Sequence, residues 1–203
     1  PRTTPQLSFS VRRLNAYMGI VITASHNPPE YNGYKVYGQD GAQLNLQDAD
    51  TVIEYVKKAG DALSIKNNEM EEDLIVYLDE SMDSSYIDAL KTVQENPELA
   101  LKTDLKVVFT PLHGASGKTT KRILTEAGYQ HIFYVDEQME PNGEFPTVAS
   151  PNPEEESAFE YAIRYGEQYE ADILIAVDPD GDRVGAAVKT KNGYKLLTGN
   201  QNG

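Results

Sequence analysis

An acidic hexapeptide at residues 178–183, DPDGDR, contains the side chains best suited to chemistry in this sequence. Its three carboxylates alternate along the chain, and the proline and glycine between them bend the backbone, so that their oxygens can converge on one point. Oxygen ligands suit a hard cation, and Mg²⁺ usually takes a few carboxylates together with a phosphate oxygen. The arginine adds a planar donor that matches phosphate geometry. The hexapeptide therefore indicates a site for Mg²⁺ and phosphate, with an acidic surface turn as the alternative. The candidate ligands are Asp178, Asp180 and Asp182, and the phosphate contact is Arg183.

A second stretch, TASHNP at residues 23–28, follows an apolar run that is typical of a buried strand. Ser25 leaves that strand, so its hydroxyl can be exposed and rigidly held, and His26 can supply a hydrogen bond. Lys35 lies in a short predicted strand between two tyrosines, and partly apolar surroundings would lower its pKa and fit it for proton transfer. The alternative for each residue is a role without chemistry: a serine that forms a turn, a surface histidine and a solvated lysine.

Apolar periodicity predicts the elements that must position these side chains. Strands are predicted at residues 19–24, 34–37, 106–110, 132–135, 173–177 and 184–188. Helices are predicted at residues 4–16, 48–59, 83–93 and 118–127, followed by one that begins at Pro153. Thr4 is expected to cap the first helix and Asn152 the last one. In the second helix Val52, Ile53 and Val56 are expected to face a core.

Strand and helix alternate from residue 104 to 177, which predicts βαβ units and a largely parallel sheet. In such sheets ligands bind beyond the carboxyl ends of the strands, where the acidic hexapeptide lies. Residues 61–80 are polar and acidic, and they are the best candidate for a linker between two units.

The composition of the chain argues against some classes of binding partner. The chain has 203 residues, with 18 Lys and Arg against 32 Asp and Glu, so its net charge is −14. That charge argues against nucleic acid or an anionic membrane as a partner, and no apolar run approaches the roughly 20 residues of a membrane span. There is no Cys, which fits a reducing compartment and predicts a cytoplasmic location. The sequence begins at Pro1 without Met and ends in a polar stretch, so we expect a piece of a longer protein.

Taken together, TASHNP, NGYK and DPDGDR resemble the α-D-phosphohexomutases, which include phosphoglucomutases and phosphomannomutases. The three motifs occur in the family's order, and the resemblance extends over essentially the whole chain. FTPLHGASG (109–117) and FPTVASPNPEE (145–155) are closer to the phosphoglucomutase and phosphopentomutase branch than to the phosphomannomutases.

The resemblance implies a role for each candidate residue. Ser25 would carry a phosphoryl group, and the three aspartates would bind Mg²⁺ together with an oxygen of the phosphorylated Ser25. Arg183 would contact the phosphate, and His26 and Lys35 would transfer a proton or stabilise the phosphate. The implied reaction converts a sugar 1-phosphate into its 6-phosphate through a sugar bisphosphate, so glucose 1,6-bisphosphate or a similar compound would be the activator and a small sugar phosphate the substrate.

The resemblance also implies an α/β fold of two three-layer units with mostly parallel mixed sheets, the first incomplete in this chain. Residues 1–78 would be the later part of the first domain, with the phosphoserine loop, and residues 79–203 the second domain, with the metal loop. Because the family's sugar-recognition and phosphate-binding loops lie in further domains, the isolated chain is expected to be inactive.

Other interpretations remain open at this point. A phosphopentomutase or phosphomannomutase would use the same residues on another sugar. A phosphatase or other phosphotransferase would use an aspartate as nucleophile and leave Ser25 without a role. A non-enzymatic module would bind the metal or a sugar phosphate without turnover.

Overall fold

The structure, a computed structural model, describes residues 1–64 and 74–202 and has an α/β fold, as predicted. The helices are α1 (Thr4–Arg13), α2 (Leu46–Ala59), α3 (Glu80–Lys91), α4 (Pro97–Ala100), α5 (Gly117–Glu126), α6 (Asp136–Met139), α7 (Glu160–Tyr169) and α8 (Gly199–Asn202). The strands are β1 (Met18–Thr23), β2 (Gly33–Gly38), β3 (Val107–Thr110), β4 (Ile132–Tyr134), β5 (Ile173–Val177), β6 (Val184–Thr190) and β7 (Gly193–Leu196). Short 3₁₀ turns occupy Pro29–Tyr31, Ala62–Ser64 and Glu156–Phe159.

The larger sheet has the strand order β4-β3-β5-β6-β7. Its first three strands are parallel, as the alternation of strands and helices predicted, and the last two are antiparallel. A short turn can join antiparallel neighbours, so the acidic hexapeptide connects β5 directly to β6. Phe159 and Ala162 pack on the sheet and are almost completely buried. This core fixes the carboxyl end of β5, where the acidic turn begins.

Strands β1 and β2 form an antiparallel ribbon whose register brings the other candidate residues to the same region. Thr23 pairs with Gly33, and Val21 pairs with Lys35. Helix α1 packs on this ribbon so closely that a Cβ atom on Gly19 would lie 2.5 Å from a methyl group of Val11. The ribbon therefore has a fixed position against α1.

Helix α1 also contacts α3, which follows the undescribed segment. The guanidinium of Arg2 donates two hydrogen bonds of 2.6 Å to the carboxylate of Asp83. The rings of Phe9 and Tyr86 lie 5.3 Å apart, centroid to centroid. These contacts hold the β1–β2 ribbon against the part of the chain that contains the larger sheet.

The boundaries of the first helices differ from the prediction. Thr3, not Thr4, caps α1: its hydroxyl accepts from the backbone N–H of Gln6, whose side chain accepts from the Thr3 backbone N–H. The helix ends at Arg13 rather than at residue 16. The predicted core face of α2 is also wrong, because Ile53 and Val56 are 43% and 49% exposed and Val52 is only partly buried. The described residues do not cover that face.

The helix predicted to start at Pro153 begins later, with the 3₁₀ turn at Glu156–Phe159 and then α7. Pro153 is instead fully buried against β6, where a Cβ atom on Gly185 would lie 2.0 Å from the Pro153 carbonyl oxygen. Asn152 accepts a hydrogen bond from the Glu154 backbone N–H in a local turn. Packing against β6 thus overrides the capping signal in this segment.

The middle of the predicted linker, residues 65–73, lies outside the described residues. No helix within residues 1–64 and 74–202 has both the length and the apolar character that crossing a membrane requires.

The contact between Gly185 and Pro153 supports a prediction about stability. A methyl group at Gly185 meets the Pro153 backbone at 2.0 Å, so one of the two segments must move. We expect Gly185→Ala to lower the free energy of unfolding of the 203-residue chain by about 1–3 kcal/mol, as measured by urea denaturation. Gly33→Ala is the matched control in a strand, because no atom outside Gly33 and its two neighbours in the sequence lies within 4 Å of its Cβ position. Equal midpoints for the two variants would contradict the packing described here.

Candidate active site

The candidate nucleophile lies just beyond the end of β1. Ser25 adopts a left-handed backbone conformation with φ of 54°, and its backbone N–H donates to the Thr23 hydroxyl over 2.7 Å. This conformation is unfavourable for a residue with a side chain and persists only where the surroundings enforce it. The Ser25 hydroxyl is therefore held in one place rather than presented on a freely moving loop.

The acidic turn folds around Asp178, which is fully buried. One of its carboxylate oxygens, Oδ1, accepts hydrogen bonds from the backbone N–H groups of Asp182 (3.1 Å) and Arg183 (2.9 Å). Gly181 has φ of 74°, which a glycine adopts without strain, and it donates to the Asp178 carbonyl over 3.0 Å. The turn thus uses Oδ1 of Asp178 for its own structure and leaves Oδ2 free for another partner.

Two neighbouring segments hold the turn from behind. The backbone N–H of Thr4, in the first turn of α1, donates to the Asp180 carbonyl over 2.8 Å. The backbone N–H of Ala115 donates to the Pro179 carbonyl, also over 2.8 Å. Gly114 contacts Pro179 so closely that a Cβ atom there would lie 2.4 Å from the Pro179 Cα atom. The position of the acidic turn is therefore set by α1 and by the loop after β3.

The structure brings Ser25 into direct contact with this turn. Its Oγ lies 3.0 Å from Asp178 Oδ2 and 3.1 Å from Asp180 Oδ1. One carboxylate oxygen from each of the three aspartates falls within 4.8 Å of the other two. Ser25 thus lies close to the acidic turn, as we expected, although 153 residues separate Ser25 from Asp178.

Lys35 extends from β2 to the outer side of the same carboxylates. Its Nζ donates to Asp180 Oδ2 and to Asp182 Oδ2, each over 3.0 Å. Burial opposes the charged form, but the hydrogen bonds to the two carboxylates outweigh it and raise the pKa of Lys35. The expected lowering of this pKa is wrong, because the lysine faces two anions rather than an apolar wall. Lys35 is thus paired with two carboxylates in this arrangement.

The electrostatics of the buried carboxylates fit a bound cation. Burial and the neighbouring carboxylate of Asp180 raise the pKa of Asp178 to about 7. Burial also opposes ionisation of Asp180, but hydrogen bonds from Asp178, Lys35 and Ser25 outweigh it and lower the pKa of Asp180. The Ser25 hydroxyl has one proton and cannot donate to both carboxylates at once. A positive charge between these oxygens would relieve both conflicts, and an all-oxygen donor set suits Mg²⁺.

His26 and Arg183 complete the cluster on the side next to Ser25. His26 Nδ1 lies 3.4 Å from Ser25 Oγ, and its Nε2 lies 3.5 Å from Nη1 of Arg183. Both contacts are long for hydrogen bonds, but they place the imidazole beside the serine oxygen and the guanidinium beside the other nitrogen of that ring. All seven candidate residues from the sequence therefore lie in one cluster. The seven are Ser25, His26, Lys35, Asp178, Asp180, Asp182 and Arg183.

The sequence pattern alone assigns no role to the residues that support the cluster. The loop at residues 111–117, part of FTPLHGASG, contacts Pro179 and so supports the acidic turn. A signal was present, because this loop follows β3, and the carboxyl ends of neighbouring parallel strands meet at one edge of a sheet. Recognising it required the strand order, in which β3 is next to β5.

Comparison with protein-family models gives two matches. Residues 84–193 match phosphoglucomutase/phosphomannomutase, alpha/beta/alpha domain II, and residues 1–62 match alpha/beta/alpha domain I of the same family. The chain is also 40% identical over all 203 residues to the phosphoglucomutase of Staphylococcus aureus strain N315, of which it covers 37%. It thus spans just over a third of the length of the curated relatives that it matches.

Two solved structures share the fold. A crystal structure from Thermus thermophilus, assigned as a phosphomannomutase, aligns with a TM-score of 0.74 and 28% identity. The alignment covers 93% of this chain and 40% of that one. A phosphoglucomutase/phosphomannomutase family protein from Burkholderia thailandensis aligns with a TM-score of 0.67 over 89% of this chain and 34% of that one. At 23% identity, this second likeness concerns the fold alone.

Proposed function

The chain belongs to the phosphoglucomutase/phosphomannomutase family, and on that premise we propose that the full-length protein moves a phosphoryl group between two hydroxyls of a sugar phosphate. One observation carries the proposal: Ser25 Oγ lies 3.0 Å and 3.1 Å from carboxylate oxygens of Asp178 and Asp180. A rigidly held hydroxyl among candidate Mg²⁺ ligands is the arrangement that a phosphoserine intermediate needs.

In the proposed reaction, phosphorylated Ser25 donates to the free hydroxyl of a sugar monophosphate. The sugar oxygen attacks phosphorus, the bond from phosphorus to Ser25 Oγ breaks, and the proton of the sugar hydroxyl ends on Ser25 Oγ. The resulting bisphosphate reorients, and Ser25 Oγ attacks the phosphorus of the other phosphate. The bond from that phosphorus to its sugar oxygen breaks, and the proton of Ser25 Oγ ends on that sugar oxygen. The serine is then phosphorylated again, and the sugar phosphate is isomerised.

The residues around Ser25 divide this work. His26, next to Ser25 Oγ, is the group that passes the proton between the serine and sugar oxygens. Lys35 reaches the same carboxylates from β2, and its ammonium group would offset negative charge on the phosphate. Arg183 donates to the phosphate oxygens with its planar fork. Asp178, Asp180 and Asp182 would hold Mg²⁺, which, when bound, neutralises charge on the transferring phosphoryl group.

The substrate that we propose is glucose 1-phosphate, with glucose 6-phosphate as the product and glucose 1,6-bisphosphate as the activator. The curated relatives at 40% identity are named phosphoglucomutases, which supports glucose. The 28% identical structure assigned as a phosphomannomutase keeps mannose phosphates as the second candidate. A phosphopentomutase uses the same chemistry on a pentose and stays an alternative.

Two further interpretations fit the geometry less well. A phosphatase with an aspartate nucleophile would give no role to Ser25, yet Ser25 lies among the candidate ligands. A binding module without turnover describes the isolated chain better than the full-length protein, because in this family the sugar-recognition loop would lie outside the chain. We propose that the isolated chain binds Mg²⁺ and phosphate without turnover.

We also propose a division of the chain at residues 78 and 79, with the serine loop in the first part and the metal loop in the second. The family matches end at residue 62 and begin again at residue 84, which supports a boundary in this region. A cytoplasmic location, and the exclusion of nucleic acid and membrane as partners, stay predictions from composition.

The test of the proposed function is turnover by the full-length protein. With Mg²⁺ and glucose 1,6-bisphosphate present, we expect glucose 1-phosphate to be converted into glucose 6-phosphate, measured by coupling to a glucose 6-phosphate dehydrogenase. Mannose 1-phosphate and ribose 1-phosphate, assayed in parallel by product analysis, decide between the sugars. Release of inorganic phosphate in place of an isomer would favour the phosphatase interpretation. Absence of any product would favour the binding module.

A further inference from the structure

The loop at residues 140–151, here called the wall loop, borders the candidate site on two sides. With His26, which follows Ser25 in the sequence, it lines a cavity of about 220 Å³. With Asp180 it lines a second cavity of about 360 Å³. Gly143 and Phe145 line both cavities. A substrate that reaches Ser25 from either cavity would therefore lie against this loop.

A continuous series of hydrogen bonds lies beneath the wall loop. The backbone N–H of Leu112 donates to the Thr110 hydroxyl, which donates to Gln138 Oε1 over 2.6 Å. Gln138 Nε2 then donates to the Thr147 hydroxyl over 2.7 Å. Because that hydroxyl is an acceptor for Gln138, its own proton is available for Nε2 of His113, 2.8 Å away. These hydrogen bonds thus join the end of β3 to the middle of the wall loop.

His113 is the last residue in this series of hydrogen bonds and is only 4% exposed. Its ring also hydrogen bonds to the backbone of Glu140, and burial lowers the pKa of His113, which favours the neutral ring that accepts from Thr147. Its backbone adds two more ties to the same region. The His113 N–H donates to the Gln138 carbonyl, and the His113 carbonyl accepts from the Asn142 N–H, each over 3.0 Å.

The backbone around these contacts is held in unfavourable conformations. Leu112, His113 and Phe145 have φ of 47°, 60° and 46°, in the left-handed region that side chains disfavour. Such conformations persist where neighbouring contacts over-determine them. Gly114 and Ala115, which follow His113 in the sequence, hold Pro179 in the acidic turn. One short loop is therefore tied both to the acidic turn and to the wall loop.

We propose that His113 and Thr147 are positioning residues: their hydrogen bond fixes the wall loop against the loop after β3 and so sets the shape of the substrate cleft opposite His26. The inference rests on the proposed function, because it assigns the wall loop to the binding of the sugar phosphate. Neither residue touches the reacting atoms. Their loss should weaken substrate binding more than it slows the chemical step.

Thr147→Val in the full-length protein tests the proposal, because valine keeps the shape of threonine and removes only the hydroxyl. It leaves Nε2 of both His113 and Gln138 without this partly buried partner, so we expect KM for the sugar phosphate to rise about tenfold, with kcat changed by less than about threefold. Thr147→Ser keeps the hydroxyl and should restore the original KM. Thr51→Val, the same change in α2, is the control for loss of a threonine hydroxyl elsewhere.

Hydrogen exchange supplies a readout that does not depend on turnover. In Thr147→Val, the amides of Phe145 and Val148 in the wall loop should exchange about tenfold faster than in the original protein, whereas those in Thr147→Ser should not.

Unchanged exchange would show that the hydroxyl does not hold the loop. Faster exchange with unchanged KM would show that the loop does not shape the cleft. A lower melting temperature with unchanged KM would mean a structural role only. Each of these results overturns the proposal, whereas absence of turnover by the unsubstituted protein would overturn the proposed function and the inference with it.

Discussion

Replacing Ser25 by alanine in the full-length protein is expected to lower turnover of glucose 1-phosphate by about 10⁴-fold or more. Loss of a covalent nucleophile removes the whole two-step route, and losses of this size occur when such groups are removed from other enzymes. The Ser25 Oγ also contacts both buried carboxylates, at 3.0 Å and 3.1 Å. Steady-state rates at saturating Mg²⁺ and glucose 1,6-bisphosphate measure the effect.

Two controls separate loss of the nucleophile from loss of structure. Ser10→Ala, in α1, removes a hydroxyl that has no role in the proposed reaction and should leave turnover within about twofold of the original. Ser25→Ala should unfold in urea near the original midpoint, because alanine removes one oxygen and keeps the Cβ. A Ser25→Ala protein that retains a tenth or more of the original rate would exclude Ser25 as the phosphoryl carrier.

Asp180→Asn and Arg183→Ala are expected to fail in different ways, although both residues belong to the acidic turn. Asp180 offers a carboxylate oxygen to the proposed cation, so Asp180→Asn should weaken Mg²⁺ activation, and added Mg²⁺ should partly restore turnover. Arg183 offers no metal ligand. Arg183→Ala removes a phosphate donor, so turnover should fall by about 10²–10³-fold even at saturating Mg²⁺.

A Mg²⁺ titration of turnover in both full-length variants distinguishes these effects. Asp104→Asn and Arg13→Ala, at exposed positions away from the cluster, are the matched controls and should behave as the original protein does. Rescue of Arg183→Ala by Mg²⁺, without rescue of Asp180→Asn, would mean that the two roles are reversed. Near-normal activity of both variants would leave the acidic hexapeptide as a surface turn.

Local chemistry made the acidic turn predictable. DPDGDR lies between two apolar runs, so its place at the end of a buried strand follows from the sequence pattern alone. Its pairing with Ser25 does not, because 153 residues separate Ser25 from Asp178 and no local pattern encodes that contact. The resemblance to a known family predicted the contact between Ser25 and the acidic turn. Its physical basis is that Ser25 follows the end of β1 and the acidic turn follows the end of β5.

Packing decided the features that the sequence pattern missed. The capping signal at Asn152 is genuine, but Pro153 is buried against Gly185, and the helix starts only after that contact. The surroundings of Lys35 could not be inferred from its tyrosine neighbours, because the carboxylates that raise its pKa come from a strand end elsewhere in the chain. Likewise, the role of His113 depends on Thr147, which lies 34 residues further on.

The most direct test of the central claim is to locate the phosphoryl group on the full-length protein. The protein is incubated with glucose 1,6-bisphosphate and Mg²⁺, digested under conditions that preserve both phosphoserine and acyl phosphate, and mapped by mass spectrometry. We predict phosphate on Ser25, and none on that peptide in Ser25→Ala. Phosphate on Asp178, Asp180 or another residue, with Ser25 unmodified, would contradict the assignment of Ser25 as the group that carries the phosphoryl between the two ends of the sugar.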